Sequence, residues 1–356
     1  MAKIPFDEKE LTVAYTIPNR YVPNAPGTDV YTFPMDPVEN YKNLFFGEPE
    51  WMPMGIETSF FCPAVIPDNI ARGFVFAANR PDPKDFGGKD MFGIEWEYVP
   101  LVGGSMVRPG KPFMEDANEW YDKLVWPDID SWDWEGDAKI NEQFLAPDKA
   151  NMLWLLNGAW YERLISFMDF EGAAMALIDD DQKQAVKDLF DKTTDLYCRI
   201  IDKCCEVYGD KIAGFTVHDD WGAQAAPFFS PAVGEEMIVP YMKRLTDHIK
   251  SKGKIAELHS CGKLELQAKN FVKAGWQLWS PMAMNDFDQL FELVGDKLVV
   301  SMAVPCDPTA SEEEQEKAGE AFVAKFWTPE KKFIGSAFGA MTNACRKGMY
   351  KASRQV

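Results

Sequence analysis

The chain has 356 residues, of which 46% are hydrophobic and 13% aromatic, enough apolar material to build a large core, so a disordered chain is excluded. With 37 Lys and Arg against 56 Asp and Glu the formal charge is −19, which excludes a protein that grips a phosphate backbone. Met1 to Leu11 is charged and lacks the apolar stretch of a signal peptide, and no run of about 18 apolar residues offers a membrane span. Seven cysteines (Cys62, Cys198, Cys204, Cys205, Cys261, Cys306, Cys345) in so long a chain suit free thiols in a reducing cytoplasm better than a disulfide framework.

The first 150 residues are rich in Pro, Gly and Trp. Asp36 caps a short helix through Phe46, with Pro37 in its first turn and Gly47 ending it. Residues 72–78 and 92–98 read as strands, and 127–134 as a turn-rich connector. From residue 151 the pattern becomes regular. Residues 152–156 (MLWLL) form a continuous apolar run, expected for a strand buried on both faces. Helices follow over 160–177 and 182–208, the second with apolar residues three and four apart. Next come a strand at 212–217, a helix at 231–251 capped by Ser230, a strand at 254–260 and a helix at 264–274. The rest reads as strand 276–280, helix 286–293, strand 298–304, helix 312–326 and strand 333–338. Alternation at this spacing implies βαβ units, and about eight strands favour an α/β fold, a (β/α)8 TIM-type barrel with a decorated N-terminal third. We expect one domain over 1–356.

In such a barrel chemistry sits beyond the C-terminal ends of the strands. Three of those ends are unusual here: His218-Asp219-Asp220-Trp221-Gly222-Ala223-Gln224, then Glu257, His259 and Cys261, then Cys306-Asp307. Side chains alternate along a strand, so Glu257, His259 and Cys261 share one face. An imidazole and a thiolate at one strand end suit zinc, and a position left open would make it a Lewis acid. The alternative is a core histidine beside a cysteine packed as a small apolar residue. For the third ligand Cys306, Glu257, Asp219 and Asp220 all stand open. Asp219, Asp220 and Glu257 are also the acid/base candidates. His218, Trp221, Gln224, Asn157 and Trp160 are the candidates for substrate contact, although tryptophans are more often core.

Several of these segments resemble the uroporphyrinogen decarboxylase superfamily, in its corrinoid-dependent methyltransferase branch. The opening helix from Asp36 and the run Gly47 to Pro53, the segment Asp90 to Trp96, and Gly158 to Leu164 are similar to family segments. His218 to Gln224 with Ser230-Pro231, and His259-Ser260-Cys261-Gly262, match it most specifically, the latter as the family's zinc-ligand strand. Two departures narrow the likeness. The decarboxylases carry an Arg-rich N-terminal motif for their polycarboxylate substrate, whereas the first seventy residues here hold Arg20 alone. Branch members acting on coenzyme M place a zinc-binding cysteine near the tail, where this chain has Ile334 to Gly339 without one. The resemblance therefore implies the first methyltransferase of an O-demethylase system. Such an enzyme moves a methyl group from a phenyl methyl ether to the cob(I)alamin of a separate corrinoid protein, with zinc as Lewis acid. A thiol (coenzyme M-type) acceptor, and a non-catalytic protein that binds a corrinoid or aromatic ligand, are the alternatives. The implied partners are the corrinoid protein and a small methylated substrate, and a homodimer is open.

Overall fold

The computed structural model describes residues 4–18, 26–101, 103–155, 158–336 and 341–356. The fold is α/β of the TIM-barrel type, with seven parallel strands among the described residues and helices flanking them. The chain divides into two compact units.

The unit formed by 59–147 and 151–294 carries the strands that matter for chemistry. Gly214–His218 pairs in parallel with Ala150–Leu155 on one side and Ile255–Ser260 on the other, and Ile255–Ser260 pairs with Leu278–Pro281. All six residues of Ala150–Leu155 are buried, as expected for a parallel strand covered on both faces. Register sets His218 opposite His259, and His259 opposite Ser280. The long helix Lys183–Tyr208 buries the stripe Val186, Leu189, Phe190, Thr193, Leu196, Tyr197, Ile200, Ile201 and Cys204 that its sequence spacing defines.

Several elements differ from the sequence reading for local reasons. The strand expected at 92–98 begins at Glu95, because the Asp90 carboxylate gathers the N–H groups of Phe92 and Ile94 and Gly93 turns at φ +80°. No strand forms at 72–78 beyond a bridge between Cys62 and Phe76, since Gly73 adopts φ +72°. The connector after Pro127 contains a further helix, Trp134–Asn141, capped by Asp133. The helix expected at 231–251 is two, Pro231–Met237 and Val239–Ser251, interrupted at Ile238 because Pro240 withholds a backbone N–H and crowds the preceding turn.

The other unit comprises residues up to 58, 148–150 and 295–356. It holds an antiparallel pair, Val13–Ile17 with Thr28–Tyr31, and a parallel pair, Val299–Met302 with Phe333–Gly335. Helices Glu312–Phe326 and Asn343–Ser353 approach so closely that a Cβ on Gly319 would overlap the Cys345 carbonyl. The last helix pins the N-terminal segment: Arg354 meets both Glu10 oxygens at 2.8 and 3.0 Å, and the Tyr350 hydroxyl donates to Glu10 at 2.7 Å. Burial pushes the Glu10 carboxyl up, but the hydrogen bonds from Arg354 and Tyr350 prevail and hold it below its ordinary value. A depressed carboxyl adds stability above its unfolded pKa and loses it as pH falls through the folded one. Glu10→Gln is expected to destabilise the protein at neutral pH and to flatten its loss of stability below pH 4.5, which urea melts at pH 7 and pH 3 will show.

No helix among the described residues is long and apolar enough to cross a membrane.

Candidate functional site

Adjacent parallel strands end together, so their last inward side chains converge. His218 closes Gly214–His218, His259 lies at the end of Ile255–Ser260, and the loops beyond deliver Asp220 and Cys261. Ligand atoms of His218, Asp220, His259 and Cys261 all lie within 4.8 Å of one another. The imidazoles stack at 5.2 Å with their planes 11° apart. Cys261 Sγ is 3.6 Å from His259 Nε2, and His218 Nε2 is 3.1 Å from Asp220 Oδ1. A tetrahedral zinc with ordinary Zn–S and Zn–N bonds separates such an S and N by about 3.5 Å. The donor set and its spacing therefore fit a zinc ion.

The surrounding groups orient the donors. His259 Nδ1 lies 2.9 Å from the Ser280 carbonyl, which can only accept, so Nδ1 carries the proton and Nε2 presents its lone pair beside Cys261. Burial, reinforced by the His218 charge, pulls the His259 imidazole down to about 4, keeping it neutral. His218 Nδ1 is held by Glu162 Oε2 at 2.9 Å, and Glu162 Oε1 accepts from Arg72 Nη2 at 2.9 Å. Burial disfavours the His218 imidazolium, yet the Glu162 and Asp220 carboxylates overcome that and hold it well above the ordinary range. The cluster thus attracts positive charge, which a bound cation would supply in place of that proton. Burial raises the Asp220 carboxyl, but the His218 charge and hydrogen bond outweigh it and keep Asp220 ionised. Asp220 Oδ1 also accepts the Cys261 N–H at 2.6 Å. Burial pushes the Cys261 thiol up, with His218 opposing.

The other expected residues fall into distinct places. Asp219 is buried and accepts from Tyr161 N, Glu162 N and Trp221 Nε1 at 3.3, 3.1 and 2.7 Å. Burial, then the Glu162 charge, raises it to about 7. It ties the start of helix Tyr161–Ala176 to the His218 strand and so places Glu162. Glu257 lies one inward step below His259, its oxygens taken by the hydroxyls of Thr216 at 2.5 Å and Ser280 at 2.7 Å. Burial raises its carboxyl. Trp160 and Trp221 are wholly buried, their indoles bonded to Thr194 and Asp219, and pack as core. Gln224 is exposed. Asn157 lies outside the described residues. The four-donor cluster does not include Cys306, which belongs to the other unit, where its Sγ is 3.8 Å from Thr342 Oγ1. His218, expected at the substrate, stands in this cluster, and Glu162, which holds it, is not among the residues expected from sequence. The signal for His218 was that two of only three histidines close neighbouring strands.

Residues 165–340 match the family described as uroporphyrinogen decarboxylase (URO-D), a little under half of the chain. Among solved structures, a methyltransferase from Methanosarcina mazei aligns over 90% of this chain and 98% of its own, with a TM-score of 0.59 at 11% identity. That likeness is one of fold. An endo-1,4-beta-xylanase from Penicillium canescens covers 56% of this chain and 65% of its own, at 9% identity and a TM-score of 0.29 too low to carry any argument. No curated protein matches the sequence.

Proposed function

We propose, from the premise that the chain is a methyltransferase-like protein of the uroporphyrinogen decarboxylase superfamily, that it takes a methyl group from a phenyl methyl ether and passes it to the cob(I)alamin of a separate corrinoid protein. The observation that carries this reading is the convergence of His218, Asp220, His259 and Cys261 at the ends of two adjacent strands. These residues would hold zinc, which when bound supplies a Lewis acid for the ether oxygen as the C–O electron pair collects on it. The protein's own groups do the rest. Ser280 and Glu162 fix which nitrogen each imidazole presents. The Asp220 side chain keeps 25% exposure against 10% for His218, so it would face the open side of the site where that histidine is enclosed. Asp219 and Glu257 act as supports, the first fixing Glu162 and the second the floor beneath His259. A single thiolate among two nitrogens and a carboxylate is a comparatively hard donor set, suited to an oxygen leaving group more than to activating a thiol acceptor. All seven cysteines are free, which supports a cytoplasmic setting.

The test is incubation of zinc-loaded protein with reduced corrinoid protein and a panel of methoxylated phenols, methylamines and methanol, followed by cobalt absorbance. Demethylation of the methoxylated phenols is expected, and methyl transfer only from the non-aromatic donors would contradict the reading. Glu162→Gln is expected to lower zinc affinity by about 10- to 100-fold, as outer partners of metal-binding histidines do, measured by chelator competition.

A further inference from the structure

A cavity of about 1110 Å³ lies in the same unit as the metal cluster, and none of the four donors lines it. Its walls come from the paired strands Glu95–Val99 and Gly104–Val107, the turn at 83–86 and the loop at 108–113. That loop is fixed by helix Tyr161–Ala176, which breaks at Asp169 (φ +57°, ψ 173°), a conformation that residues with side chains rarely adopt. Asp169 Oδ2 accepts the Gly110 N–H at 2.7 Å, and the Phe167 carbonyl beside the break accepts that of Met114 at 2.9 Å. Strain of this kind persists only where neighbouring contacts impose it, and here those contacts hold one wall of the cavity. The rim is open, with the Lys84 and Arg108 side chains 74% and 78% exposed.

We propose that this cavity binds a flat, fused-ring ligand that carries a carboxylate or phosphate group. The inference does not depend on the methyl-transfer reading. Small-molecule sites span about 300–1,000 Å³, so a single ring would leave most of this volume empty. Phe86 and Tyr98, with ring centroids 5.3 Å apart, line the cavity with Trp96 and Phe113 and offer offset and edge-on packing to a planar ligand. Charge chooses the group that the rings bear. The chain as a whole carries −19, yet three cations line this cavity against two carboxylates. Arg108 takes Glu97 at 2.5 Å, and Glu95 leaves its strand on the face opposite Trp96. Lys84 stands 3.7 Å from Asp82, while Lys111 meets no carboxylate among the described residues and is free to pair with a ligand. A cationic ligand is disfavoured, because the Arg72 guanidinium already stands 5.0 Å over the Trp96 ring.

Isothermal titration of zinc-loaded protein with two pairs of ligands tests the assignment: AMP beside adenosine, and 2-naphthoate beside 2-naphthamide, with inorganic phosphate as the anion that lacks a ring. The anion of at least one pair should bind about 10-fold more tightly than its uncharged counterpart, the worth of one charge-assisted hydrogen bond. Inorganic phosphate should bind more weakly than that anion. The tighter of AMP and 2-naphthoate tells whether phosphate or carboxylate is the group received, and either supports the site. Lys111→Gln should erase the margin while the uncharged counterpart binds as before, and Phe113→Ala should weaken both members of the pair. Both side chains are exposed, so the variants keep the fold, which unchanged zinc content and melting temperature will establish. No advantage of either anion over its counterpart, or phosphate alone binding as tightly as AMP, would overturn the proposal. So would anion binding unaltered in both variants, which would place the ligand elsewhere, on the zinc included.

Discussion

Replacing His259 by alanine is expected to remove stoichiometric zinc and methyl transfer together while the barrel stays folded. The side chain is at the end of its strand, not in its middle. Its loss removes one donor and one hydrogen bond to the Ser280 carbonyl, and leaves the ladder to Gly214–His218 and Leu278–Pro281 intact. Zinc affinity should fall by more than about 100-fold, beyond the range that outer partners command. Cys261→Ser should act in the same direction, since a hydroxyl is a far poorer zinc ligand than a thiolate. Zinc content, circular dichroism and cobalt absorbance measured on one preparation separate loss of the site from loss of the fold. Retained zinc with normal turnover in His259→Ala would exclude the cluster as the metal centre.

The second large effect concerns stability. Arg163 is wholly buried on helix Tyr161–Ala176, where it pairs with Asp68 and, at 2.6 Å, with Asp90, both side chains equally inaccessible. Phe92 and Phe167 flank the guanidinium at 4.9 and 5.7 Å. Asp90 also accepts the Trp96 indole and the N–H groups of Phe92 and Ile94, so one arginine ties the N-terminal loops to the helix that carries Glu162. Removing one member strands buried charge. Arg163→Met is therefore expected to cost about 3–5 kcal/mol, the range for broken buried pairs. Urea unfolding followed by tryptophan fluorescence will measure it, and a loss under about 1 kcal/mol would show that water replaces the lost partner.

The parallel strands and their helices were legible because buried strands read as apolar runs and long helices show a 3.6-residue stripe. Helix Glu312–Phe326 was placed to the residue, and the structure shows Ser311 capping it. Legibility failed where side chains overrode periodicity. Asp90 captures the N–H groups that would have begun a strand at Phe92, and Pro240 splits what reads as one helix. The C-terminal helix Asn343–Ser353 was missed because its buried face mixes Cys345, Met349 and Tyr350 with Arg346, Gly348 and Ser353, which does not read as an apolar stripe. At the site, the His-x-Cys pair was visible by alternation along one strand. Glu162 and Ser280 were not, since each meets its histidine across a fold that spacing alone does not reveal. Trp160 and Trp221 illustrate the converse: large aromatics beside site motifs that turn out to hold the scaffold.

His218, His259, Cys261 and Asp220 are expected to hold one zinc ion together. Zinc-edge X-ray absorption of the purified protein tests it directly. One zinc per chain is expected, bound by a single sulfur at about 2.3 Å and by nitrogen or oxygen donors at about 2.0–2.1 Å. A shell with two or more sulfurs, or protein that takes up no zinc, would contradict it.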